Sequence, residues 1–143
     1  MKRVYVNEKW CLGCHLCEYY CSFAETNESD MARALKGVKV RARISIEERD
    51  GISFAIACRH CREPLCVKGC LTGALTVADG IVTINKERCV SCYTCILSCP
   101  YGAVSPSDDG AVQKCELCAA KAAEIPACVR GCPNNAIVFE ERG

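Results

Sequence analysis

The sequence predicts an α+β fold of short β-hairpins and short helices, wrapped around bound groups in place of a large apolar core. Three observations predict it. The 143 residues include 16 cysteines, which fall into spaced quartets. The stretches between quartets alternate polar and apolar residues over only a few positions, the period of short strands. Half of the residues are hydrophobic, but that half counts the cysteines, and aromatics supply only 6%. A chain so poor in aromatic bulk needs bound groups to complete its interior, as other small scaffolds need disulfides or metals. Their binding is then linked to folding, and the chain without them is expected to be poorly folded.

The third quartet shows what the groups are. Cys89, Cys92, Cys95 and Cys99-Pro100 read C-x2-C-x2-C-x3-C-P, the run with which bacterial ferredoxins hold cubane iron–sulfur clusters. Three thiolates spaced by two residues aim their sulfurs into one short loop. The fourth, after a gap of three, begins a helical turn pointing elsewhere; in two-cluster ferredoxins it ligates the other cluster. The proline offers no backbone donor and turns the chain away.

Residues 2–7 alternate as a strand and lead into Cys11, Cys14, Cys17 and Cys21, again spaced x2, x2, x3. His15 lies inside this complete quartet, so its ring is expected beside the cluster or on the surface, not on the metal. Trp10, Tyr19 and Tyr20 are expected to shield the cluster. Asn27 or Ser29 is expected to cap a short helix over 30–36, with Gly37 at its end. Residues 38–46 alternate strictly. Val38, Val40, Ala42, Ile44 and Ile46 share one face; Lys39, Arg41 and Arg43 share the other. Asp50-Gly51 is a turn signal, after which Ile52, Phe54 and Ile56 are expected as the inward side of a partner strand. This makes 38–57 an inserted hairpin. Its basic face is either solvated or a dock for an acidic partner. It lacks the interleaved aromatics of a nucleic-acid site.

The second quartet is Cys58, Cys61, Cys66 and Cys70, with Pro64 in its wider x4 gap and His60 between its first two ligands, where the same reading applies as for His15. Residues 74–77, 78–80 and 81–84 read as strand, turn and strand. A Pro/Ser/Asp/Gly turn spans 106–110. The last quartet is Cys115, Cys118, Cys128 and Cys132-Pro133, its x9 gap Ala-rich and partly helical in character. Residues 136–139 read as a closing strand, expected beside the first, with Lys2 and Arg3 near Glu140 and Glu141. No interval reads as a flexible linker, so the quartets are turns of one repeated cluster-loop unit over 1–143.

Sixteen cysteines, at four per cubane, predict four 4Fe–4S clusters. The exchange of fourth ligands pairs quartet two with three and one with four. Cys58, Cys61, Cys66 and Cys99 then form one site, and Cys89, Cys92, Cys95 and Cys70 its neighbour. Cys11, Cys14, Cys17 and Cys132 form another, and Cys115, Cys118, Cys128 and Cys21 the last. The competing topology pairs one with two and three with four; the long 22–57 insertion makes it less attractive. Zinc is the alternative for any single C-x2-C, giving a zinc-stabilised interaction module. A third Cys at x2 and a fourth at x3 before Pro fit cubanes better.

Nothing else in the chain looks catalytic: it has no phosphate-binding Gly loop, dinucleotide fingerprint or acid–base constellation. The remaining chemistry is one-electron transfer by a non-catalytic protein. Lys114, Arg59 and Arg88 lie beside ligands, where they either raise nearby potentials or serve as surface charge. The net charge of +1 gives no steering towards nucleic acid or an anionic membrane. No run approaches the roughly 18 apolar residues of a membrane span. Lys2-Arg3 is not followed by a signal-peptide core, so a reducing compartment, the cytoplasm, is expected.

The opening stretch from Val4-Tyr5-Val6-Asn7-Glu8 through Cys11-Leu12-Gly13-Cys14-His15-Leu16-Cys17-Glu18-Tyr19-Tyr20-Cys21 resembles the ferredoxin-like subunit of carbon monoxide dehydrogenase systems, the CooF type. So do Cys58-Arg59-His60-Cys61-Arg62-Glu63-Pro64-Leu65-Cys66 and Gly73-Ala74-Leu75. More broadly the chain is similar to the four-cluster subunits of molybdenum and tungsten oxidoreductases and of formate-linked hydrogenases. The resemblance implies two pseudo-symmetric bacterial-ferredoxin-like halves. The outer half would be about 1–35 plus 100–143 and the inner half about 58–99. It also implies a relay between a catalytic metalloenzyme subunit, carbon monoxide dehydrogenase foremost, and a second redox protein such as a flavoprotein or hydrogenase. The alternative partner is a tungsten or molybdenum aldehyde or formate oxidoreductase.

Overall fold

The computed structural model describes residues 2–26, 29–37, 42–118 and 124–142. Their elements run β1 (Arg3–Val6), α1 (Leu16–Ala24), α2 (Met31–Leu35), β2 (Ser45–Arg49), β3 (Ile52–Ile56), α3 (Leu65–Gly69) and β4 (Leu75–Ala78). There follow β5 (Ile81–Ile84), α4 (Thr94–Ser98), β6 (Ser105–Pro106), β7 (Val112–Gln113), α5 (Ala127–Gly131) and β8 (Ile137–Glu140). The strands pair only as antiparallel ribbons: β1 with β8, β2 with β3, β4 with β5, β6 with β7. Short antiparallel strands beside short helices make an α+β fold of the ferredoxin-like kind.

Turn chemistry sets two of the ribbons. Asp50-Gly51 (φ 53° and 76°) and Asp79-Gly80 (φ 51° and 78°) place both central residues in the left-handed region, as a two-residue hairpin requires. The chain ends meet through β1 and β8, with Arg3 opposite Glu140.

Helices pack in two pairs, α1 on α5 and α3 on α4. Gly131 in α5 lies against the Tyr20 ring, where any Cβ would collide. Each pair belongs to an apolar cluster that cysteines complete. Cys17 and Cys128 pack with Ile44, Ala55 and Ile137. Cys95 packs with Leu75, Val82, Val104 and Val112, and Cys66, Cys70, Cys89 and Cys99 border it. Sulfur thus occupies the positions that aromatic side chains hold in larger cores.

The inserted hairpin differs from expectation in two ways. Its first strand lies later, at Ser45–Arg49; Val38, Lys39, Val40 and Arg41 fall outside the described residues. On its second strand the inward face is also the other one. Ile46 sits opposite Ala55 and both pack on the Ile44 cluster. The period of two then turns Ile52, Phe54 and Ile56 away. Ile52 is 51% exposed, and Phe54 and Ile56 line an open groove against β1. Ala42, Ile44 and Ile46 do face inward. Arg43 is not solvated: its guanidinium pairs with Glu25 (3.3 Å) and Glu116 (3.9 Å).

The α2 cap is Asp30, whose Oδ1 accepts the Ala32 N–H at 3.0 Å. Asp30 directly precedes the first helical residue, where a short acceptor reaches the free amides; Asn27 lies outside the described residues. The 106–110 turn is flanked by β6 and β7, a ribbon too short to show as alternation. The Ala-rich residues 119–123 lie outside the described part.

Candidate functional site

Each quartet is delivered by one local device. Cys17, Cys66, Cys95 and Cys128 are the second residues of α1, α3, α4 and α5. The next cysteine is four positions on in every case: Cys21 within α1, and Cys70, Cys99 and Cys132 as the C-caps of the other helices. One helical turn therefore separates third from fourth, moving the fourth sulfur along the axis. The preceding loops hold Gly13, His15, His60, Ser91, Tyr93, Leu117 and Cys118 at positive φ. Left-handed residues turn successive amides towards one concavity, a nest for anions. Accordingly the His60 amide donates to Cys58 Sγ (3.4 Å), that of Leu117 to Cys115 Sγ (3.4 Å) and that of Arg43 to Cys21 Sγ (3.3 Å).

The tertiary fold gathers the sulfurs around cavities. Cys11, Cys14, Cys17 and Cys132 rim one with Leu12, Ile46, Pro133 and Ile137. Cys58, Cys61, Cys66 and Cys99 rim a second with Pro64, Leu65, Val82 and Val104. Cys70, Cys89, Cys92 and Cys95 rim a third with Leu75, Ile84 and Val112. The remaining Cys21, Cys115, Cys118 and Cys128 neighbour one another. Burial first, then the charges of Cys115, Cys21 and Cys118, push the Cys128 thiol far up. Each of the three cavities joins three cysteines of one quartet to a fourth from another.

Electrostatics divide the sulfurs. Burial pushes the Cys17 and Cys115 thiols up to about 12, and raises Cys21, Cys66 and Cys95 as well. These thiols keep their protons at neutral pH unless cationic metal displaces them. Cys92 goes the other way, because the Thr94 hydroxyl (3.5 Å) and amide donate to its sulfur. At Cys70 burial pushes upward, but the Leu75 and Thr72 amides and the Thr72 hydroxyl bring the net shift down. Cysteine spacing alone singles out neither threonine, although each stands two residues after its cysteine in a Cys-x-Thr pattern.

Two buried donors test the fit to an anionic cofactor. His60 is wholly buried. Its Nδ1 accepts the Val82 N–H at 3.0 Å, which leaves the ring proton on Nε2. Burial, then the charges of Lys114 and Arg3, lower its pKa to about 3. Nε2 of His60 and Nε of Arg3 are buried with no partner. Neither residue lines one of the three cysteine cavities; it is the four cysteines that rim each cavity that fit iron–sulfur clusters. By contrast, no group of three or more His, Cys, Asp or Glu among the described residues could hold a metal ion.

The other singled-out residues fall as follows. Lys114 is not surface charge but 1% exposed, its Nζ donating to the carbonyls of Val82 and Cys115. Arg59 is exposed and stacks on Tyr101, 4.2 Å from the ring centre, and Arg88 is exposed. His15 is exposed, 3.2 Å from Glu18. Trp10 and Tyr19, 54% and 43% exposed, line none of the cavities and do not shield them. Among the described residues no helix is long and apolar enough to cross a membrane.

The chain is similar to known proteins. The chain is 34% identical over 150 residues to an iron-sulfur protein of Rhodospirillum rubrum, covering 94% of this chain and 79% of that one. It is 32% identical over 148 residues to the electron transport protein HydN of Escherichia coli (strain K12), covering 92% and 83%. Its fold matches a chain of the active-site complex BamBC of benzoyl coenzyme A reductase with benzoyl-CoA: TM-score 0.54 and 22% identity over 99% of this chain and 80% of that one. Residues 50–142 match the 4Fe-4S dicluster domain family. By that match and these relatives, the chain belongs to the 4Fe-4S dicluster domain family of iron–sulfur proteins.

Proposed function

We propose that the chain is a non-catalytic electron-transfer subunit that holds four 4Fe–4S clusters in a line. One observation carries this reading: the cysteines gather by fours, three from one quartet and one from another. The ligand sets are Cys11, Cys14, Cys17 and Cys132; Cys115, Cys118, Cys128 and Cys21; Cys58, Cys61, Cys66 and Cys99; and Cys89, Cys92, Cys95 and Cys70. The first two sets form the outer half and the last two the inner half. When bound, the clusters supply one-electron redox chemistry at potentials set by charge, hydrogen bonds and burial.

The order of the sites follows from which sulfurs influence which. Cys17 acts on Cys128, and Cys58 acts on Cys115. The packing of α3 on α4 joins the inner sites. These relations support a line that starts at the Cys11 set and ends at the Cys89 set. Cys14 and Cys92 are the exposed cysteines, one at each end. Each has exposed apolar neighbours, Leu12 at one end and Val90 and Leu97 at the other, which fit docking of redox partners. The resemblance at the first quartet favours a carbon monoxide dehydrogenase catalytic subunit as one partner. Thiolate-rich sites of this kind suit a reducing compartment, the cytoplasm.

Anaerobic purification with metal analysis tests the reading. The expected result is about 16 iron per chain, four clusters of four irons, with reducible spectra. Stoichiometric zinc without a reducible spectrum would sink it. Proteins that co-purify identify the partner; a catalytic subunit unrelated to carbon monoxide oxidation would overturn that part alone.

A further inference from the structure

We propose that Lys114 is a counter-charge shared by the two middle sites, raising the potential at which each takes up an electron. The inference rests on the four-cluster reading. Lys114 is the largest of the fully buried side chains. Its bonds among the described residues are to the Val82 and Cys115 carbonyls, neutral dipoles and not carboxylates. An ammonium so placed is costly unless an anion compensates it. Glu116, the carboxylate on the same strand edge, binds the Ile84 N–H and lies 3.9 Å from the Arg43 guanidinium.

The sulfur lies on both sides. Val82, held by Lys114, lines the cavity of Cys58, Cys61, Cys66 and Cys99. Cys115, held through its own carbonyl, belongs with Cys21, Cys118 and Cys128. A single cation is thus tied to both groups, through the Val82 carbonyl on one side and the Cys115 carbonyl on the other. Reduction adds one electron and no proton to a site, and a buried cation beside it favours the reduced form. Solvent and salt screen exposed charges such as Arg88 but hardly reach this one.

The test is a dithionite redox titration of the whole cluster-loaded protein, followed by electron paramagnetic resonance, for wild type, Lys114→Met, Lys114→Arg and Arg88→Gln. Iron content and the number of reduction steps are checked first; fewer than four clusters in wild type would overturn the four-cluster reading itself. With four present, Lys114→Met is expected to make two steps at least tenfold harder, about 59 mV more negative for one electron. The affected steps are those altered by Cys66→Ser and Cys115→Ser. Lys114→Arg is expected to restore them, and Arg88→Gln to leave them in place. Should Lys114→Met lose its clusters, the Lys114→Gln protein is titrated in its stead. Steps that stay put, that all move equally, or that move only at the Cys89 or Cys11 site would overturn the proposal.

Discussion

His60 and Lys114 grip one residue of β5 from two sides: Val82 donates its N–H to His60 Nδ1 at 3.0 Å and its carbonyl accepts from Lys114 Nζ. The free edge of a two-stranded ribbon is thus closed by side chains, since Ile84 also donates, to Glu116 at 2.9 Å. Unpaired strand edges are otherwise open to further pairing. Here the edge groups locate a neutral ring and a cation among the cysteines.

Replacing His60 with Leu leaves the Val82 N–H buried and unpaired, which costs about 1–3 kcal/mol. The pH dependence has a definite sign. In the folded protein His60 stays neutral down to about 3, against 6.5 ordinarily. The unfolded chain therefore binds the extra proton between those values, and stability falls as pH drops below 6.5. Every tenfold difference in proton affinity between the folded and unfolded chain is worth about 1.4 kcal/mol. Anaerobic denaturant unfolding between pH 7.5 and 5.5 should show wild type losing stability and His60→Leu losing less. Parallel curves would contradict the neutral ring.

Cys21→Ser should chiefly disturb the cluster held by Cys115, Cys118 and Cys128. Cys21 is the residue of α1 whose charge reaches Cys115 and Cys128. Spectra of the reduced variant should show that one signal altered or lost. Alteration of the Cys11 site alone would mean that Cys21 serves its own quartet.

Gly131→Ala should separate α5 from α1, because the added methyl meets the Tyr20 ring. Overpacking of this kind costs about 1–3 kcal/mol. Tyr20→Leu should recover part of that loss in the double variant, so that thermal midpoints of the two single changes do not add. Additive losses would show that the ring is not the obstacle.

Thr94→Val removes the hydroxyl that donates to Cys92 Sγ at 3.5 Å. Redox titration should show only the site containing Cys92 becoming harder to reduce. A shift at any other site, or none, would remove Thr94 from the tuning groups.

Much of this protein is local chemistry and therefore readable without coordinates. Cysteine spacing, the prolines that follow Cys99 and Cys132, and the Asp-Gly turns at 50–51 and 79–80 act within a few residues. They specify the cofactor class and the hairpins because ligand reach and left-handed φ depend on the adjacent chain alone. Tertiary structure decided the rest. Alternation told that residues 38–46 and 52–56 form strands, but it put Ile52, Phe54 and Ile56 inward where Ala55 packs. That choice fell to the contact of Ile46 and Ala55 with Ile44. Lys114 reads in sequence only as a charge next to a cysteine. Its burial depends on the β5 edge, 32 residues away at Val82. Which fourth cysteine faces which cavity likewise follows from α1 packing on α5 and α3 on α4. Spacing aims a sulfur, but only packing brings it to another quartet.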